Sequence, residues 1–325
     1  MTTILVTGGA GFIGSRFVEY MIDNTDYDIV CLDALKYSGS TVNLFPYYQN
    51  CHSKFKFIKG DITDLDVVVK AMKGADYVVN FAAETHVDNS IKDPLIFTYT
   101  NVMGTHALLE AAKELGIKRF LQVSTDEVYG SIKEGFFTED SPIKPNSPYS
   151  ASKAAADLLV QAYHTTFKLD TVITRCSNNY GSHQYHEKLI PHFVDLLKQG
   201  KHVTLYGDGS NVRDWLQVFD HCSAIHKVLE EGVSGEVYNI GCNNELTNLE
   251  VTKIILDVMG LDESYIDFVE DRKGHDFRYA IDSTKLRKLG WEPTYLSEYG
   301  IAATARWYAS PEYDRYRQNF EGGRQ

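Results

Sequence analysis

Short apolar runs alternate with helical stretches through the first half of this chain. Thr3–Thr7 is β-rich and apolar, and a group of glycines separates it from a helical pattern running from Phe12 to Ile22. Ile29–Leu32 ends in Asp33, Lys56–Ile58 leads into Gly60-Asp61, and Tyr77–Phe81 leads into Ala82-Ala83. A helix over Thr105–Leu115 then feeds a strand over Phe120–Val123. Tyr149–Phe167 reads as a long helix and Thr171–Thr174 as another strand. Apolar strands separated by helices, and not by hairpin turns, predict a parallel sheet with crossover helices.

After about Asn178 the texture changes. Polar stretches at Asn178–Glu187 and Tyr206–Asp214 read as loops, with helices at Leu189–Gln199 and Leu249–Met259 and a short strand at Glu236–Ile240. The expected class is α/β, a doubly wound parallel sheet with a smaller α/β C-terminal region over its carboxyl edge, where such sheets bind ligands. The boundary falls at residue 178, giving units 1–178 and 179–325, with elements near Val218–His226 returning to the first. No internal repeat or low-complexity tract is visible, and Glu321–Gln325 is expected to fray.

Composition narrows the function classes. A net charge of −12 opposes broad electrostatic binding to nucleic acid or an anionic membrane. A small anionic ligand stays open, but needs a few local cations. The five cysteines, Cys31, Cys51, Cys176, Cys222 and Cys242, form no CxxC pair and no metal-ligand spacing, so reduced thiols and no metal are expected. No run approaches the roughly 20 apolar residues of a membrane span, and Ile4-Leu5-Val6 is too short for a signal-peptide core. A cytoplasmic location is the expectation.

The chemistry begins at Thr7-Gly-Gly-Ala-Gly-Phe-Ile-Gly14, directly after a strand and opening a helix. Gly8 permits the tight turn, Gly11 lets the backbone approach a pyrophosphate, and Gly14 lets the helix pack on the strand. The pyrophosphate then faces the helix N-terminus. Asp33, at the end of the second strand, can accept hydrogen bonds from the adenosine ribose, and no Arg follows it to hold a 2′-phosphate. This favours NAD over NADP on a Rossmann-type sheet. Asp61 and Ile62 are placed beside the adenine. Tyr149 and Lys153, four residues apart on one helix face, form a second pair: the lysine ammonium, with a cationic nicotinamide, is expected to stabilise a phenolate that serves as base.

TGGAGFIG, Tyr149-x-x-x-Lys153 and the strand ending Ser124-Thr125-Asp126-Glu127-Val128-Tyr129-Gly130 resemble the extended short-chain dehydrogenase/reductase family. Within it, the Thr-Asp-Glu triplet is similar to the nucleotide-sugar 4,6-dehydratases, above all those acting on dTDP-glucose. The similarity runs through AAETHVDNSI at 82–91, SPYSASKA at 147–154, CSNNYG at 176–181, EKLIP at 187–191, RDWL at 213–216 and YNIG at 238–241. The resemblance implies C4 oxidation, loss of water across C5 and C6, and hydride return to C6. Glu127 would be the base at C5, Asp126 the acid at C6, and Thr125 would orient the C4 oxygen beside Tyr149. Two carboxyl groups in different environments can divide acid and base roles.

The resemblance also assigns Phe12, Ile13, Ala82, Ala83, Thr100 and Asn179 to the cofactor. To the substrate it assigns Thr85, His86, Asn178, Glu187, Lys188, Leu189, Thr204, Leu205 and Tyr206, and then Arg213, Asn248, Arg272 and His275. Arg213 and Arg272 would meet the diphosphate. A homodimer built on the Tyr149–Phe167 helix is also implied. The chain departs from the family pattern at Ala34, Asn89, Ser182–His186, Lys273 and Phe277. All but Ala34 fall on the substrate side, so UDP-glucose or another nucleotide sugar is the alternative substrate. Epimerase or decarboxylase chemistry and a non-catalytic NAD-binding scaffold stand behind it.

Overall fold

The apolar runs become strands because helices cover both faces of the sheet they build. The computed structural model describes residues 1–45, 47, 52–271, 276–295 and 297–322. Its first half supplies β1 (Thr3–Thr7), β2 (Asp28–Asp33), β3 (Phe55–Lys59), β4 (Tyr77–Asn80), β5 (Arg119–Thr125) and β6 (Thr171–Cys176). The second half adds β7 (Asn178–Tyr180), β8 (Val203–Tyr206), β9 (Val212–Gln217), β10 (Val237–Ile240), β11 (Glu245–Thr247) and β12 (Ile266–Val269). Among the described residues a seven-stranded parallel sheet runs in the order β10-β6-β5-β4-β1-β2-β3.

Strand β1 shows why the run is continuous. Ile4 and Val6 pack into one core with Phe17 and Ile225, from the Phe12–Asn24 and Val218–Glu231 helices, while Leu5 faces the other. That second core takes Val68, Leu108 and Val160 from the Leu65–Met72, Gly104–Leu115 and Pro148–Phe167 helices. Each such side chain contributes about 1.5–3 kcal/mol on burial. Strand β10 and the Val218–Glu231 helix come from the second half but belong to this layer.

The remaining elements form a third core around Ile190, Val251 and Ile301. Here β11-β9-β7 make a small mixed sheet and β12-β8 a parallel pair. The stretches expected as loops at Asn178–Glu187 and Tyr206–Asp214 therefore hold β7 and the start of β9. Two further helices, Ser297–Ala309 and Pro311–Gly322, close the chain. Of the expected frayed tail, 321–322 are helical and 323–325 lie outside the described residues. No helix among the described residues is long and apolar enough to cross a membrane. Cys31, Cys176, Cys222 and Cys242 are buried free thiols, and Cys51 lies outside the described residues.

Candidate active site

The strand order reverses beside β1, and a cleft of about 1680 Å³, its open mouth included, lies over the carboxyl ends of β1, β2, β5 and β6. Its lining runs from the glycine-rich turn through Asp33 and Asp61 to Tyr149, Lys153 and Lys188. At one end Gly8 has φ +67, and a Cβ there would meet the Ala82 backbone nitrogen at 2.6 Å. A Cβ on Gly14 would stand 2.3 Å from the Gly8 carbonyl, so glycine alone lets the helix sit this close to the strand. Gly11 caps the Phe12–Asn24 helix with no side-chain hydrogen bond. Phe12, Ile13 and Gly14 of its first turn line the cleft, and a helix N-terminus suits a pyrophosphate.

Every residue assigned to the cofactor lines this cleft. Phe12 and Ile13 follow the turn, Asp61 and Ile62 form the β3 end, and Ala82, Ala83, Thr100 and Asn179 complete the wall. Asp33 lines it too, while its carboxylate accepts from the amides of Ala10 at 2.9 Å and Leu35 at 2.7 Å. Burial pushes its pKa up, and those two bonds pull it down. Thr100 reaches the wall from a π-helical turn, Thr98–Met103, whose Asn101 side chain clamps Glu84 through both its N–H and its C=O. Such turns recur at functional sites.

The five catalytic candidates meet where β5 ends. Thr125 caps the Asp126–Tyr129 turn by accepting from the Glu127 amide at 3.3 Å. Asp126 is 4% exposed and Glu127 only half-buried. Burial pushes the Asp126 carboxyl well above the usual range, and the Glu127 charge adds to this. Arg213 pulls the other way. Burial and the neighbouring charge thus favour the protonated form of Asp126.

Ser147, with Ser150, closes a capping box that starts the Pro148–Phe167 helix and aims Tyr149 and Lys153 at the cleft. Lys153 donates to the Val123 carbonyl at 2.7 Å; burial lowers its pKa, while Asp157 and Cys176 raise it. Tyr149 is pushed well above its ordinary value by burial, then by Glu127 and Cys176, while the Thr125 hydroxyl pulls the other way. A positive charge beside the phenol, of the kind a nicotinamide ring carries, would favour its deprotonated form.

On the substrate side the structure divides the candidates. Thr85, Asn178, Glu187 and Lys188 line the cleft. His86 sits just behind it, its Nε2 3.7 Å from Glu187 and its Nδ1 accepting from the Asn89 amide. Leu189, Thr204, Leu205, Tyr206, Arg213 and Asn248 are not on the wall. Leu205 points into the third core, and Thr204 and Tyr206 face outward from β8. Asn248 opens a helix that Thr247 caps. Arg213 is buried, stacked over Tyr279 at 4.5 Å and donating to the carbonyls of Val212, Asp276 and Phe277. It pairs with neither Asp214 nor Asp220, whose carboxylates hold backbone amides. Arg272 and His275 lie outside the described residues.

Lys36, Tyr37 and Glu84, not assigned from the sequence, also line the cleft, as do Gln184 and Tyr185 of the departing Ser182–His186 stretch. Lys36 is 2.5 Å from Asp61 and brings a cation to the adenosine end. The one available signal was the polar loop after Asp33, whose Leu35 and Tyr37 take left-handed backbone angles.

Residues 5–304 match the family described as GDP-mannose 4,6 dehydratase. The chain is similar to the low-salt glycan biosynthesis protein Agl12 of Haloferax volcanii, 54% identical over 94% of this chain and 98% of that one. It is 50% identical to the dTDP-glucose 4,6-dehydratase of Streptomyces niveus over 94% of this chain and 92% of that one. The crystal structure of DesIV, a dTDP-glucose 4,6-dehydratase from Streptomyces venezuelae holding NAD and dTDP, superposes with a TM-score of 0.93. Identity is 48%, covering 99% of this chain and 100% of that one.

Proposed function

The chain belongs to the extended short-chain dehydrogenase/reductase family, in the branch described as GDP-mannose 4,6 dehydratase, and from that premise we propose an NAD-dependent hydro-lyase that converts dTDP-glucose to dTDP-4-keto-6-deoxyglucose. The observation that carries this reading is the adjacent carboxyl pair at the end of β5. Asp126 is enclosed and Glu127 opens on the same cleft as Tyr149 and Lys153. An enzyme that only oxidises or epimerises at C4 needs neither carboxyl.

When bound, NAD supplies a cationic ring and a store for the hydride taken from C4 and given back to C6. Tyr149 accepts the C4 hydroxyl proton, with Lys153 beside it as a fixed cation and Thr125 orienting the oxygen. The resulting ketone acidifies C5–H, and Glu127 removes that proton. Asp126, whose protonated form burial favours, gives its proton to the departing C6 hydroxyl, which leaves as water. Glu127 gives its proton back to C5 as C6 receives the hydride, and the proton taken by Tyr149 replaces the one Asp126 lost, so net oxidation is zero.

Thr85, Asn178, Glu187 and Lys188 face the nucleotide sugar in this scheme, and Lys188 takes the diphosphate role first assigned to Arg213. Residues 1–178 carry the cofactor and 179–325 mainly the nucleotide sugar, with the Val218–Glu231 helix and β10 counted in the first unit. The homodimer we propose buries Ile91, Leu95, Tyr99, Met103, Leu158 and Phe167, exposed apolar residues on adjoining helices. A cytoplasmic location suits the buried free thiols. Glu127→Gln should stop exchange of the C5 hydrogen with deuterated solvent while NAD stays bound. Exchange at the parent rate would remove Glu127 from the mechanism.

A further inference from the structure

The Pro311–Gly322 helix takes no part in the chemistry above, yet it touches both lips of the cleft. Toward one lip, the Tyr316 hydroxyl donates to Asn43 Oδ1 at 2.6 Å. Asn43 is buried, and its Nδ2 donates to the Ala10 carbonyl at 2.7 Å, inside the glycine-rich turn. The Ser40 amide meets the same carbonyl at 3.0 Å, and Arg16 donates to the Asn43 carbonyl at 2.8 Å. Two hydrogen bonds therefore connect the helix to the turn that faces the pyrophosphate.

Toward the other lip, the Tyr316 ring meets His183 edge-on, centroids 4.6 Å apart, and Trp307 packs on the same imidazole at 4.7 Å. His183 has φ +68, a left-handed conformation uncommon for a residue with a side chain. The Tyr308 hydroxyl reaches the carbonyls of Gly181 at 3.1 Å and Gln184 at 3.0 Å. The loop held in this way supplies Gln184, Tyr185, Glu187 and Lys188 to the cleft wall. The lips also meet directly, since Tyr185 packs on Tyr37 at 5.1 Å. Burial and the nearby Arg16 charge keep His183 neutral, its pKa lowered to about 3, so the stack does not change near neutrality.

We propose that Tyr316 is a positioning residue that fixes the glycine-rich turn through Asn43 and the 181–188 loop through His183, so that the C-terminal helix holds both lips of the cleft around the cofactor. This rests on the cofactor reading of the cleft and not on the identity of the sugar.

Two variants of the full chain separate the arms. Tyr316→Phe keeps the ring on His183 and removes only the hydroxyl. It should release NAD roughly two- to ten-fold faster, the range produced by one lost hydrogen bond, with amide exchange across 181–188 unchanged. Tyr316→Ala cuts both arms, and should speed NAD release further and also raise amide exchange across 181–188. A helix that only packs would lower the melting temperature while Tyr316→Phe lost NAD at the parent rate, and that result overturns the proposal. So does a Tyr316→Ala variant whose 181–188 amides stay as protected as in the parent. NAD release is measured without any sugar nucleotide, so a failure of the dehydratase reading leaves either result standing.

Discussion

Asp126 and Glu127 are neighbours in sequence but not in environment, and the difference has a cost that can be measured. An unfolded Asp ionises near pH 4, whereas burial holds the folded Asp126 carboxyl well above that. Its pKa is raised on folding, so its contribution is fully present below the unfolded value and is lost as pH rises toward the folded one. Asp126→Asn should therefore melt higher than the parent at neutral and alkaline pH, match it under acid, and lose turnover by roughly 10²–10⁴-fold, the usual weight of a general acid. Melting curves recorded from pH 4 to 9 check this. A variant that melts lower at every pH would mean that the carboxyl is bound as a structural partner. At this scale the sequence disclosed residue types and their order. It could not disclose that Lys153 turns to the Val123 carbonyl, or that Arg213 spends its donors on distant carbonyls, because those partners are set by packing across tens of residues.

At the scale of elements, the glycine turn separates two roles that its motif blends. A Cβ on Gly14 would sit 2.3 Å from a backbone carbonyl, while one on Gly11 meets nothing nearer than 3.3 Å. Gly14→Ala should thus lower both stability, by about 1–3 kcal/mol as overpacking does, and NAD affinity. Gly11→Ala should keep the melting temperature within a few degrees and weaken NAD alone. Denaturation beside NAD titration distinguishes them, and equal loss of stability in both would show that Gly11 has no separate binding role. The large sheet was legible because strands buried on both faces read as continuous apolar runs. Strands β7, β9 and β11 were not, since they are short and carry Asn178, Arg213, Asp214 and Glu245, whose burial or pairing depends on remote partners. The Pro311–Gly322 helix was hidden by its polar, tyrosine-rich composition.

At the scale of the whole molecule, the described residues leave an apolar face uncovered. Leu95 is 75% exposed and Ile91 65%, and Leu158 and Phe167 extend the patch along the Pro148–Phe167 helix. A protein of net charge −12 that leaves such a face to water would be unusual. Sedimentation should give twice the chain mass for the parent, and Leu95→Glu combined with Leu158→Glu should give the monomer, since each places a charge in an apolar contact. A parent that sediments as a monomer would remove the proposed dimer.

This cleft is proposed to eliminate water instead of merely oxidising or inverting a sugar. The direct measurement is to incubate the purified protein with NAD and dTDP-glucose, and separately with UDP-glucose, and to follow the alkali-absorbing 4-keto product. The expected product is a 4-keto-6-deoxy sugar from dTDP-glucose, with no net consumption of NAD. Absence of keto sugar from dTDP-glucose, with a 4-epimer accumulating in its place, would contradict it.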